Sequence, residues 1–126
     1  MAQGTFGTAI NCIDGRAQEP VTAWVRANAH VDFVDTTTVP GADNALTHMT
    51  PERLAQMREM VAISVNAHGS QIVAIAGHYG CAAFPAERAE HEAAIRSAVS
   101  VVKGWGLPVR VVGLWVNDQW QVEVVE

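Results

Sequence analysis

The apolar and polar positions alternate between two periods along the chain, and the change of period marks its elements. "GTFGTAINC", residues 4–12, is short, apolar and led by glycine, which predicts a strand. "EPVTAWVRANAHV" follows with Val21, Trp24 and Val25 on one face at spacings of three and four, which predicts a helix with Pro20 in its first turn. "VDFVDTTTV" predicts a second strand and "PGADNALTHM" a loop. The clearest helix spans residues 50–69. Thr50 is its expected N-cap, Pro51 its first residue, Leu54, Met57, Val61 and Val65 its buried stripe, and Gly69 its end. "QIVAIAG" is apolar throughout, as in a parallel strand buried on both faces. Residues 85–106 predict a third long helix, with Glu92 and Arg96 paired across one turn and His91 beside Glu87. "PVRVVGLWV" predicts a fourth strand. A two-residue turn at Asn117-Asp118 then leads into "QWQVEVV" as a terminal hairpin.

Strands alternating with helices predict an α/β fold. The expected architecture is a parallel sheet of order 2-1-3-4, strands numbered along the chain, with flanking helices and a C-terminal antiparallel hairpin strand. The 126 residues are expected to form one domain, 1–126, with no linker or internal repeat.

Composition narrows the function classes. The chain is 49% apolar and 17% charged, with mean hydropathy +0.11, which suits a packed core and argues against disorder. A net charge of −5 and scattered Lys and Arg residues argue against nucleic acid and membrane surfaces as partners. No apolar run reaches the roughly 20 residues of a membrane span, and the N-terminus lacks the pattern of a signal peptide. The expected location is cytoplasmic, where the two cysteines stay reduced and serve as ligands, nucleophiles or packing residues.

The chemistry concentrates at two strand ends. "TAINCIDGR" places Cys12, Asp14 and Arg16 after the first strand, and "GHYGC" places His78 and Cys81 after the third. Ligands of open α/β sheets bind at the carboxyl ends of strands where strand order reverses, so the order 2-1-3-4 brings all five residues together. Cys12, His78 and Cys81 form a three-ligand set for Zn²⁺ that leaves a fourth position open. Zinc lowers the pKa of bound water from ~15.7 to near 7. Asp14 is placed to accept a proton from that water or to orient it. Arg16, paired with Asp14, would keep the carboxylate ionised and off the metal. The plainer alternatives are two buried packing cysteines and a structural ion pair capping the next helix. The remaining histidines and the four tryptophans read as surface and packing residues. Tyr79 and Phe84 flank the second motif, where they could line an apolar pocket.

"CIDGR" resembles the Cys-x-Asp-x-Arg motif of the β-class carbonic anhydrases, and "GHYGC" their Gly-His-x-x-Cys motif. The resemblance implies Cys12, His78 and Cys81 as zinc ligands and Asp14 and Arg16 as a catalytic dyad. It implies reversible hydration of CO₂ to bicarbonate by zinc-bound hydroxide, in a homodimer or higher homo-oligomer. The chain departs from the family in Gly15, often Ser, in Ala82-Ala83, often Gly-Gly, and in lacking the Arg-Asn-Ala-Gly-Asn run and an N-terminal helical arm. Proteins of the same fold that hydrolyse COS or CS₂ are the nearest alternative, followed by a non-catalytic zinc-binding protein.

Overall fold

A computed structural model describes residues 3–126. In chain order its elements are β1 (Phe6–Asn11), α1 (Gly15–Ala29), β2 (Phe33–Thr38), α2 (Ala42–Ala45), α3 (Pro51–His68), β3 (Ile72–His78), α4 (Arg88–Lys103), β4 (Arg110–Val116) and β5 (Val122–Val124). The five strands form one sheet of order β2-β1-β3-β4-β5. β1 to β4 run parallel, and β5 pairs antiparallel with β4 through Leu114↔Val124 and Val116↔Val122.

β3 lies at the centre and is buried at all seven positions. Its successive side chains enter opposite faces of the sheet. Val73 and Ile75 join Ile10, Val61, Ile95 and Val99 beneath α3 and α4. Ile72, Ala74 and Ala76 join Val21, Val25 and Leu114 beneath α1. Covered faces on both sides explain why β3 is continuously apolar, whereas β2, at the sheet edge, is only half buried.

The helix ends follow local chemistry. The Thr50 hydroxyl accepts from Arg53 N at 3.3 Å, Pro51 opens α3, and Gly69 closes it at φ 71°. The buried stripe of α3 is Met57, Val61, Ser64 and Val65, with Leu54 only half buried. Glu87 and Glu90 form a reciprocal capping box at the start of α4.

Four local expectations are corrected. α1 begins at Gly15, not near Pro20, because the Asp14 carboxylate caps it by accepting from Arg16 N. Pro20 therefore lies inside the helix, where it cannot supply the N–H that the Arg16 carbonyl would accept. The loop after β2 contains the short helix α2. Glu92 pairs with Arg88 at 3.5 Å rather than with Arg96, since Arg88 also reaches Glu123 at 2.8 Å and is held between the two carboxylates. The β4–β5 connection spans Asn117 to Gln121, not two residues. The Asn117 side chain accepts from Gln119 N and Gln121 N, and Trp120 adopts φ 59°.

Candidate metal centre

The ends of β1 and β3 meet at the reversal of strand order. Asn11, the last residue of β1, is a buried polar side chain that shapes the turn carrying Cys12. Its Oδ1 accepts from Cys12 N at 2.8 Å, its Nδ2 donates to Ala17 O at 3.2 Å, and its carbonyl accepts from Val39 N. Gln18 Nε2 donates to the Cys12 and Ile13 carbonyls from the other side. His78 is the last residue of β3, and Cys81 follows in the turn.

Cys12, His78 and Cys81 are all buried, and one potential ligand atom from each lies within 4.8 Å of the other two. His78 Nδ1 lies 2.8 Å from the Tyr79 carbonyl, which can only accept, so this nitrogen carries the proton. Nε2 is then the lone-pair nitrogen. It is buried and has no hydrogen-bond partner among the described residues. An orphaned buried acceptor costs free energy unless something satisfies it, and a cation would do so. Burial pushes the Cys81 thiol above its ordinary range and nearby Cys12 adds to this, while the N–H groups of Phe84 and Ala83 act in the opposite direction. Two sulfurs and an imidazole in a dry site suit a soft divalent ion such as zinc.

Asp14 and Arg16 stand beside this group. Arg16 Nε donates to Asp14 Oδ1 at 3.0 Å and Nη2 to Oδ2 at 2.7 Å, a bidentate pair. The Arg16 hydrogen bonds hold the Asp14 carboxyl at about 2, well below the usual carboxylate range, with partial burial opposing them. Asp14 Oδ2 lies 4.0 Å from His78 Nε2. Arg16 is itself braced. Its guanidinium lies 4.7 Å from the centre of the Trp120 ring and donates to the Gly80 carbonyl at 3.4 Å. Trp120 is thus more than a packing residue, and it comes from the longer hairpin loop.

A cavity of about 220 Å³ opens onto the site, lined by Cys12, Ile13, Asp14, Pro40, Ala82 and Ala83. It is smaller than ordinary ligand pockets of roughly 300–1,000 Å³ and mostly apolar, which suits a very small uncharged molecule. Phe84 and Tyr79 do not line it. Phe84 packs edge-on against His91, and Tyr79 borders a separate cleft with Gly80 and Cys81. Sequence reasoning also missed Asp43 and His91. His91 is buried and pairs with Asp43 at 2.6 Å, not with the Glu87 side chain. The signal was present, since His91, Ile95, Ala98 and Val102 share one apolar helical stripe.

The architecture matches that of the β-carbonic anhydrases. The chain superposes on β-carbonic anhydrase isoform I of Trichomonas vaginalis with a TM-score of 0.62 and 16% identity, covering 94% of this chain and 81% of that one. The carbonic anhydrase of Streptococcus mutans gives 0.64 and 16% over the same shares. The β-carbonic anhydrase CafA of Aspergillus fumigatus gives 0.63 and 12%, covering 95% and 74%. At these identities the likeness speaks for the fold. The family comes from the sequence itself: residues 2–126 match the family model described as "Putative carbonic anhydrase", and the chain belongs to that family. No curated protein matches it.

Proposed function

We propose that the protein is a zinc-dependent carbonic anhydrase that interconverts CO₂ and bicarbonate, with Cys12, His78 and Cys81 holding the metal and Asp14 and Arg16 serving the reaction. The observation that carries this reading is the unpartnered His78 Nε2, buried between two cysteine sulfurs and facing a carboxylate held by arginine. Bound zinc would supply the Lewis acidity that lets water ionise near neutral pH.

The chain's own residues account for the rest. A carboxylate that titrates at about 2 is a weak base at neutral pH, so Asp14 works by accepting a hydrogen bond and orienting, not by storing a proton. Oδ1 already accepts from the Arg16 main chain and from Nε, whereas Oδ2 accepts only from Nη2 and is the oxygen near His78. Oδ2 is therefore the atom with acceptor capacity toward the site. Arg16 restrains Asp14 from becoming a fourth ligand. Ile13, Pro40, Ala82 and Ala83 offer CO₂ an apolar berth without competing polar groups.

Homo-oligomerisation belongs to the same proposal. Phe33 on edge strand β2, and Met60 and Ile63 on α3, are about half exposed and offer apolar contact area. Light scattering of the purified chain tests it, and a monomer at all concentrations overturns it.

Elemental analysis combined with stopped-flow CO₂ hydration tests the function. The expected result is one zinc per chain and hydration well above the buffer rate above pH 8. Zinc-loaded protein no faster than buffer refutes the hydratase reading. H₂S release from COS or CS₂ by such protein would reassign the substrate.

A further inference from the structure

Next to the metal centre lies a second polar cluster that the proposed reaction does not use. Asp43 and His91 are both about 1% exposed. His91 Nδ1 lies 2.6 Å from Asp43 Oδ2, and Nε2 lies 2.9 Å from the Phe84 carbonyl. A carbonyl only accepts, so Nε2 donates to Phe84, and one further proton lies between Nδ1 and Oδ2. Asp43 Oδ1 accepts from Asn44 N at 3.0 Å. Gly77 makes room for this carboxylate, because a Cβ there would collide with Asp43 Oδ2. The fold therefore maintains a costly buried polar pair one residue away from His78.

The pair links the segment that donates to the Cys12 sulfur with the loop that carries Cys81. Asp43 lies two residues after Gly41, whose N–H donates to Cys12 Sγ at 3.4 Å. Phe84 lies three residues after Cys81 in the same loop. The loops touch: a Cβ on Gly41 would meet Ala83 Cβ at 3.3 Å and Phe84 Cβ at 3.4 Å. The Asp43–His91 bridge spans this junction, with Asp43 in α2 just after Gly41 and His91 in α4 holding the Phe84 carbonyl.

We infer that Asp43 and His91 are positioning residues for the metal centre: their buried bridge locks the Gly41 and Phe84 segments together, so that the segment donating to Cys12 and the loop carrying Cys81 keep the two sulfurs at the spacing a metal needs. This rests on the metal-centre reading. N–H donors favour a thiolate over a thiol, and outer partners of metal ligands are commonly worth about 10–100-fold in metal affinity.

The test uses intact protein loaded with ¹¹³Cd, with Co²⁺ or with Zn²⁺. In the ¹¹³Cd wild type, the Gly41 amide proton is expected to show scalar coupling to the metal through N–H···S. Absence of coupling at Gly41 overturns the inference. In chelator competition, His91→Leu should weaken zinc binding by about 10-fold or more and shift the sulfur-to-cobalt charge-transfer band, whereas Asp43→Asn, whose amide can donate to His91 Nδ1 while its oxygen still accepts from Asn44 N, should stay within about threefold of wild type. A folded His91→Leu with unchanged affinity and spectrum overturns the inference. Should that variant not fold, the wild-type coupling decides: present at Gly41 it supports the inference. A wild type that binds none of the three metals overturns the metal-centre reading as well, which separates the two failures.

Discussion

At the scale of single residues, the site depends on what Arg16 does to Asp14. Removing the guanidinium in Arg16→Ala should return the Asp14 carboxyl from about 2 toward its ordinary 3.8, measured by carboxyl ¹³C NMR titration of metal-free protein. The folded value lies below the unfolded one, so the capped and paired carboxylate stabilises the fold above pH ~4, and this contribution is lost as pH falls through about 2. Asp14→Asn should leave zinc content intact and lower kcat/KM by about 100-fold, because an amide cannot orient a proton donor as a carboxylate does. An unchanged rate would remove Asp14 from the mechanism. Cys12→Ser should abolish stoichiometric zinc by elemental analysis, since two remaining ligands hold zinc poorly.

Elements bear different constraints. α1 starts at Gly15, where a Cβ would meet nothing within 4 Å. Gly15→Ala should therefore stabilise the protein by about 0.5–1 kcal/mol in denaturant titration, through lower unfolded-chain entropy and better helix propensity. The family's frequent Ser at this position also fits the space. β3 is the opposite case. Gly77 faces Asp43 and Ile95 so closely that a methyl group must displace one of them. Gly77→Ala should cost about 3 kcal/mol or more by overpacking beside the Asp43–His91 pair, and a neutral result would show that α2 shifts freely. Two glycines in similar local sequence thus have opposite predicted effects because one side chain would point into solvent and the other into a packed layer.

For the whole molecule, metal and fold should be linked. The proposed ligands come from the ends of β1 and β3 and from the turn after β3, so the complete set exists only when the sheet is assembled. Zinc at roughly a thousand times its Kd should add about 4 kcal/mol to the unfolding free energy, seen as a rise in Tm that chelator reverses. The Asp43–His91 bridge reinforces that linkage by joining α2 to α4 across the same end of the sheet. Trp120 does so from the hairpin, where it packs against Arg16.

The sequence by itself determined the strands, the long helices in outline and the five residues proposed for the site, of which the fold gathers Cys12, His78 and Cys81 within 4.8 Å. It could do so because β3 carries a continuous apolar run, α3 has an N-cap and a glycine stop, and each motif sits directly after a strand. These are local signals, readable within a few residues. The sheet order was also inferable, because a switch point is where such motifs converge. Tertiary structure alone decided the pairings between distant or competing groups. Arg88 prefers Glu123, 35 positions away, because β5 brings it close. His91 finds Asp43, 48 positions away, because α4 and α2 meet over the end of the sheet. A polar side chain on a helix carries its periodicity in the sequence, but its partner is selected by which groups remain unsatisfied when the layers close, and that is a property of the packed molecule.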